Sequence, residues 1–93
     1  MLRGAFIGFG NVAAKGHLPG WQSVKDVQIV AATDAIAAQS KAFLEACPGG
    51  QWYRTVDDLL SDKRLDFVDI CTPPSSHPGL IERALDVRMH VLC

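Results

Sequence analysis

The segment Leu2–Val12, with the sequence LRGAFIGFGNV, restricts the fold of this chain more than any other stretch. A short apolar run leads directly into Gly8-Phe9-Gly10-Asn11-Val12-Ala13, a G-x-G-x-x-A turn that opens a helix-forming stretch. This order of buried strand, glycine turn and helix is typical of folds that bind the pyrophosphate of a dinucleotide. The sequence therefore predicts a βαβ unit at the start of the chain, with a ligand site at its turn.

Each small residue of the turn has its own predicted role. A side chain at Gly8 would clash with the returning backbone, whereas Gly10 lets the main chain approach the phosphates closely. Ala13 is small enough for the helix to pack against the strand. The first-turn N–H groups would face the ligand with the positive end of the helix dipole behind them. The candidate phosphate-binding residues are Gly8, Phe9, Gly10, Asn11 and Val12.

An acidic residue closes the second predicted strand, Val27–Thr33. Asp34 lies 21 positions after Ala13, close to the roughly 20 expected for a carboxylate that holds the adenosine ribose. Such a carboxylate accepts from the ribose hydroxyls and repels a 2′-phosphate, and neither Ala35 nor Ile36 supplies a cation, so NAD is favoured over NADP. Asp34 is equally well placed to cap a helix that begins at Ala35.

Apolar runs alternate with helix-forming stretches along the whole chain. Short connections and right-handed crossovers arrange such a chain as an α/β fold with a doubly wound parallel sheet, in the strand order 3-2-1-4-5. Ligands on such sheets bind at the carboxyl ends of the strands, where the order reverses. The predicted strands are Ala5–Ile7, Val27–Thr33, Gln51–Arg54, Asp66–Cys71 and Met89–Cys93, and the long predicted helices are Asn11–Ser23 and Ala35–Cys47.

Two features of the first predicted helix are unusual. Pro19 cannot donate to the carbonyl four residues earlier, and Gly16 weakens propagation, so a kink or a break is expected there. His17 lies on the same segment, and we interpret it as a helix-surface histidine rather than as a catalytic group.

Length and charge exclude several classes of function. The 93 residues form one small domain, and nine basic against ten acidic residues leave a net charge of −1. Because this balance offers no basic stripe, nucleic acid and anionic membrane surfaces are not expected partners. The cysteines are odd in number and have no CxxC spacing, which predicts free thiols in a reducing cytoplasm. They are Cys47, Cys71 and Cys93.

Several segments together resemble the cofactor domain of the glucose-fructose oxidoreductase, inositol dehydrogenase and rhizopine-catabolism (Gfo/Idh/MocA) family. They are GFGNVAAKGHLPG, ATD, YRTVDDLLSD, DFVDICTPPSSHPGLIERAL and HVLC, and they cover almost the whole chain. The resemblance implies that Thr72, Pro73 and His77 lie near the nicotinamide ribose and Asp34 on the adenosine ribose. Pro74 belongs to the same loop but stands where many relatives have asparagine, so one side-chain contact to the cofactor would be missing.

The end of the chain carries two further expectations from this resemblance. The family often has a Gly-Lys pair where this chain has Arg88-Met89, so Arg88 would take a left-handed conformation at a cost of roughly 1 kcal/mol. The family continues from H-V-L-C into Glu-Lys-Pro, whose lysine assists catalysis. Residues 1–93 would then be a dinucleotide-binding fragment of a larger two-domain oxidoreductase, without the sixth strand, the substrate domain or any catalytic residue. We expect it to be inactive alone and to self-associate through the exposed edge at Met89–Cys93.

The leading hypothesis is an NAD(P)-binding domain of an oxidoreductase that transfers a hydride to or from a sugar, a polyol or a related compound. Its cofactor performs the chemistry, and the domain supplies position and electrostatics. His77 shows no orienting partner in the sequence, so no acid–base pair for the hydride transfer can be assembled. One alternative is an NAD-sensing or scaffold module without turnover. A weaker one is a methyltransferase-type nucleotide domain, whose glycine loop is similar.

Overall fold

The computed structural model describes residues 1–73 and 77–93. Five parallel strands form one sheet in the order β3-β2-β1-β4-β5, which confirms the predicted fold class and strand order. The strands are β1 (Leu2–Ile7), β2 (Val27–Thr33), β3 (Gln51–Trp52), β4 (Phe67–Ile70) and β5 (His90–Leu92). The order reverses between β1 and β4, so the crevice of the sheet lies beside the end of β1.

Helices cover both faces of the sheet because successive side chains of each strand point to opposite sides. On one face, Ala5 and Ile7 of β1 join a cluster with residues of α3 (Val56–Leu60) and α4 (His77–Asp86). On the other face, Phe6 joins a cluster with Phe43 of α2 (Gln39–Ala46) and with the first helical segment.

The first helical segment is not a uniform α-helix, and its irregularity lies near Pro19, where a kink or a break was predicted. A π-helix runs over Val12–His17, and α1 follows over Leu18–Gln22. The Leu18 N–H donates to the Ala13 carbonyl five residues earlier. Pro19 occupies the first turn of α1, where its missing N–H does no harm, so the change from π-helix to α-helix precedes the proline rather than following it.

None of the helices in the described residues is long and apolar enough to cross a membrane.

The helix expected to begin at Ala35 begins four residues later, at Gln39. The Ile36 N–H donates to Oδ1 of Asp34 at 2.8 Å, so the chain first makes an Asx-type turn. Ile36 is 60% exposed and lies in this turn, outside the helix that was predicted to include it.

The end of α4 confirms the expectation for Arg88. Its φ is +61°, and the Met89 N–H donates to the Ala84 carbonyl at 3.0 Å, five residues earlier. This is the bond pattern that ends a helix on a left-handed residue, usually glycine, and it turns the chain back into β5.

Candidate cofactor crevice

The carboxyl ends of β1, β2 and β4 meet around a cavity of about 340 Å³. Its lining includes Gly8, Asp34, Thr72 and Pro73, which the sequence placed in one site from three separate segments. A cavity of similar size, about 330 Å³, lies around Trp21 and the start of β2, away from the point where the strand order reverses.

Gly8 holds the first turn in a conformation that suits glycine. Its φ is +93°, and a Cβ built on it would lie 2.9 Å from the carbonyl carbon of Cys71 and 2.9 Å from Cγ2 of Thr72. The backbone that leaves no room for a side chain at Gly8 is therefore the segment that follows β4. The prediction had assigned this role to the returning backbone of the glycine turn. Gly8 also donates its N–H to the Thr33 carbonyl at 2.8 Å, so it joins the ends of three strands.

Gly10 stands in open space as far as residues 1–73 and 77–93 are concerned, because a Cβ built on it meets none of their atoms within 4 Å. Asn11 and Val12 after it are exposed, whereas Ala13 is completely buried in the cluster that contains Phe43. The turn thus leaves its outer side free for a ligand and packs its inner side on the sheet, as the predicted roles of Gly10 and Ala13 require.

Phe9 contributes only its main chain to the crevice. Its ring is 1% exposed and packs edge-on against Phe6 and Phe43, with centroids 5.6 Å and 5.2 Å apart. Its N–H donates to Oδ2 of Asp34 at 2.6 Å. Phe9 therefore anchors the glycine turn from inside the core and leaves its side chain unavailable to a ligand.

Asp34 joins the glycine turn to the end of β2. One carboxylate oxygen accepts from the Phe9 N–H and the other from the Ile36 N–H. The residue before α2 is Ala38, so Asp34 does not cap that helix, and this alternative is wrong. Two N–H donors hold the carboxylate in place, and each of its oxygens keeps further capacity to accept a hydrogen bond from a ribose hydroxyl.

The remaining predicted site residues follow β4. Thr72 is half-buried, Pro73 is exposed, and both line the cavity. His77, at the start of α4, donates from Nε2 to the Thr72 carbonyl at 2.8 Å. The expectation that His77 has no orienting partner is therefore wrong, because a backbone carbonyl five residues earlier fixes its ring. Pro74 lies outside the described residues.

Arg54 is a site residue that the sequence reasoning missed. It follows β3, is exposed, and lines the same cavity as Asp34. This cation does not directly follow the acidic residue, where Ala35 and Ile36 stand, but follows the neighbouring strand. The usable signal was that β3 pairs with β2 in a parallel sheet, which brings residues at the two carboxyl ends together.

A polar cluster under the first helical segment corrects the interpretation of His17. Its Nδ1 lies 2.7 Å from Oδ2 of Asp69, a side chain that is only 3% exposed. Trp21 donates from Nε1 to the same oxygen at 2.9 Å, and the Cys71 thiol lies 3.5 Å from Oδ1. Burial and the neighbouring Asp69 carboxylate raise the pKa of Cys71 to about 12. His17 is thus a partner of a buried carboxylate and not only a surface residue.

Known proteins are similar to this chain in sequence and in architecture. A family model described as the oxidoreductase family, NAD-binding Rossmann fold, matches residues 2–93. D-apiose dehydrogenase of Paraburkholderia graminis is 35% identical over 92 residues, covering 99% of this chain and 24% of that protein. Inositol 2-dehydrogenase of Rhizobium meliloti is 32% identical, covering 99% of this chain and 27% of its own length. The chain thus spans about a quarter of the curated relatives that it matches.

Solved structures agree with the sequence matches. An oxidoreductase from Thermotoga maritima superposes with a TM-score of 0.93 at 26% identity, covering 99% of this chain and 29% of that one. A 3-ketoreductase from Actinomadura kijaniata, solved with NADP and TDP-benzene, gives a TM-score of 0.89 at 27% identity, covering 98% of this chain and 28% of that one. With a glycine turn, an acidic β2 end and a matching fold over residues 2–93, the chain belongs to the Gfo/Idh/MocA oxidoreductase family and carries its NAD-binding Rossmann fold.

Proposed function

We propose that residues 1–93 are the dinucleotide-binding domain of a two-domain oxidoreductase that acts on a sugar, a polyol or a related compound. The observation that carries this proposal is the crevice in which Gly8, Asp34 and Thr72 meet at the reversal of strand order. The names of the relatives, dehydrogenases of D-apiose and inositol, support the substrate class. The nicotinamide ring, when bound, supplies the carbon that accepts or donates the hydride.

The residues present fit a dinucleotide. The open space at Gly10 leaves room for a pyrophosphate against the main chain, and exposed Asn11 and Val12 begin the helical segment behind it. The Asp34 carboxylate, held by the Phe9 and Ile36 N–H groups, is oriented to accept from the hydroxyls of the adenosine ribose. In this role Asp34 favours NAD over NADP, because its charge repels a 2′-phosphate.

At the other end of the crevice, we propose that the nicotinamide ribose lies beside Thr72, Pro73, Pro74 and His77. The hydrogen bond from His77 to the Thr72 carbonyl joins the start of α4 to the exit of β4. A carbonyl acceptor also fixes the proton of His77 on Nε2, so this ring positions the loop rather than moving a proton. In the proposed division of labour, these residues bind and orient the cofactor.

We expect a preparation of this chain to bind NADH saturably and to give no saturable signal with S-adenosylmethionine. The adenosine ribose of either ligand would meet the acidic residue after β2, but only the dinucleotide offers a pyrophosphate to the turn around Gly10. Titration of the two ligands into one sample makes the comparison. Binding of S-adenosylmethionine with no binding of NADH would replace the oxidoreductase assignment by the methyltransferase one.

We propose that the domain works in the cytoplasm, where its three free thiols stay reduced.

We also expect the 93-residue chain to self-associate through β5, an edge strand on which Leu92 is 42% exposed. Sedimentation velocity under reducing conditions should show a mass that rises with concentration. Leu92→Lys places a charge on this edge and should lower the association. A parent chain that stays monomeric at high concentration would contradict the expectation.

A further inference from the structure

We propose that His17, Asp69 and Cys71 form a binding site for a thiophilic divalent metal ion such as Zn²⁺, separate from the cofactor crevice. One ligand atom from each side chain lies within 4.8 Å of the other two. The three residues combine an imidazole, a carboxylate and a thiol, a donor set that suits zinc and excludes a preference for Mg²⁺ or Ca²⁺.

The fold creates this cluster from two distant segments. Asp69 and Cys71 are two residues apart at the end of β4, so their side chains point to the same face of the sheet. The π-helix crosses this face and ends at His17, which places its ring over the strand end. The sequence separation between His17 and Asp69 is 52 residues.

Two of the distances between the ligand atoms fit a tetrahedral ion. Zinc bonds of about 2.0–2.3 Å separate ligand atoms by roughly 3.3–3.6 Å in a tetrahedron. Cys71 Sγ lies 3.4 Å from Nδ1 of His17 and 3.5 Å from Oδ1 of Asp69. With Oδ1 of Asp69 as the ligand atom, the 2.7 Å distance from Nδ1 to Oδ2 is a hydrogen bond of the metal-free cluster and not a distance between two ligand atoms.

The protons that hold the cluster together are the ones that a metal would replace. Without metal, His17, Trp21 and Cys71 all direct polar hydrogens at the two oxygens of Asp69. An ion would take the place of the His17 and Cys71 hydrogens, while Trp21 continues to donate to Oδ2 and orients the carboxylate from outside the ligand set. Binding releases the thiol proton, so the affinity should rise with pH.

An entry route leads to the cluster. His17 and Asp69 line an open cavity of about 310 Å³, and the His17 side chain is 39% exposed. A hydrated ion can therefore reach the ligand atoms and keep a water molecule in the fourth position. Cys93 lines the same cavity, so its thiol must be tested separately.

Titration with Co²⁺, the spectroscopic substitute for Zn²⁺, tests this proposal on the chain under reducing conditions. We expect one equivalent to bind, with the intense visible bands of a tetrahedral site and a near-ultraviolet thiolate-to-cobalt band. Excess Zn²⁺ should remove both signals. Cys71→Ser should abolish the thiolate band, and His17→Gln should weaken binding at least about tenfold. Circular dichroism confirms that each variant is folded.

Matched controls separate this cluster from stray ligands. Cys47→Ser and His90→Gln change a half-buried cysteine and an exposed histidine elsewhere in the fold and should leave the spectrum unchanged. Cys93→Ser should also leave the thiolate band in place. Loss of that band on Cys93→Ser alone, an octahedral spectrum, or undiminished binding by folded Cys71→Ser would overturn the proposal.

Discussion

Gly10→Val is expected to lower the affinity for NADH at least about a hundredfold, roughly 2.8 kcal/mol, in a protein that remains folded. A Cβ at Gly10 meets no atom of the described residues within 4 Å, so this part of the fold has room for the larger side chain. That same space is where the pyrophosphate is proposed to approach the main chain. The valine side chain would therefore compete with the ligand and not with the core.

The matched control for this variant is Gly16→Val. Gly16 lies in the π-helix that follows the turn and lines a different cavity, and a Cβ built on it likewise meets no atom in the described part of the chain within 4 Å. It should bind NADH as the parent chain does. Circular dichroism and a binding titration on the same preparations measure both properties. Retained binding by folded Gly10→Val would remove the turn from the phosphate site.

Asp34→Ala should weaken NADH binding by about 1.5–3 kcal/mol, because a charged acceptor for two ribose hydroxyls is lost. The structure adds a second cost, since the Phe9 and Ile36 N–H groups also lose their acceptor. Part of the loss would then come from a looser glycine turn. The ratio of NADH affinity to NADPH affinity separates the two effects, because both dinucleotides bind the same turn.

We expect Asp34→Ala to reduce this ratio by at least about tenfold, since removal of the carboxylate also removes the repulsion of a 2′-phosphate. Arg54 provides the complementary variant. It lines the same cavity and, among the residues that the structure describes, makes no ion pair or hydrogen bond. Arg54→Gln should weaken NADPH more than NADH. An unchanged ratio in Asp34→Ala would mean that Asp34 serves only to hold the turn.

Local patterns in the sequence sufficed for the sheet. The run Val27–Thr33 is β2 to the residue, because a strand covered on both faces reads as a continuous apolar stretch. The left-handed conformation of Arg88 was expected from the family resemblance, because relatives often have glycine at this position, and not from the local sequence.

Local patterns failed where a distant or polar contact competed with helix propensity. The alanine-rich stretch after Asp34 favours a helix from Ala35, yet the Asp34 carboxylate captures the Ile36 N–H and delays α2 until Gln39. The same carboxylate accepts a hydrogen bond from the Phe9 N–H, 25 residues earlier in the sequence, and no spacing rule indicated this contact.

The sequence by itself determined the fold class, the strand order and the glycine turn with its acidic partner, because periodicity and turn chemistry act between near neighbours. Only the tertiary structure brought Arg54 to the cavity of Asp34 and His17 to Asp69 and Cys71. The physical reason is that parallel strands are joined by crossovers through helices, so residues far apart in the chain meet at one edge of the sheet. The chemistry of these residues depends on this proximity, because a buried carboxylate such as Asp69 needs hydrogen-bond partners and the fold determines which groups lie beside it.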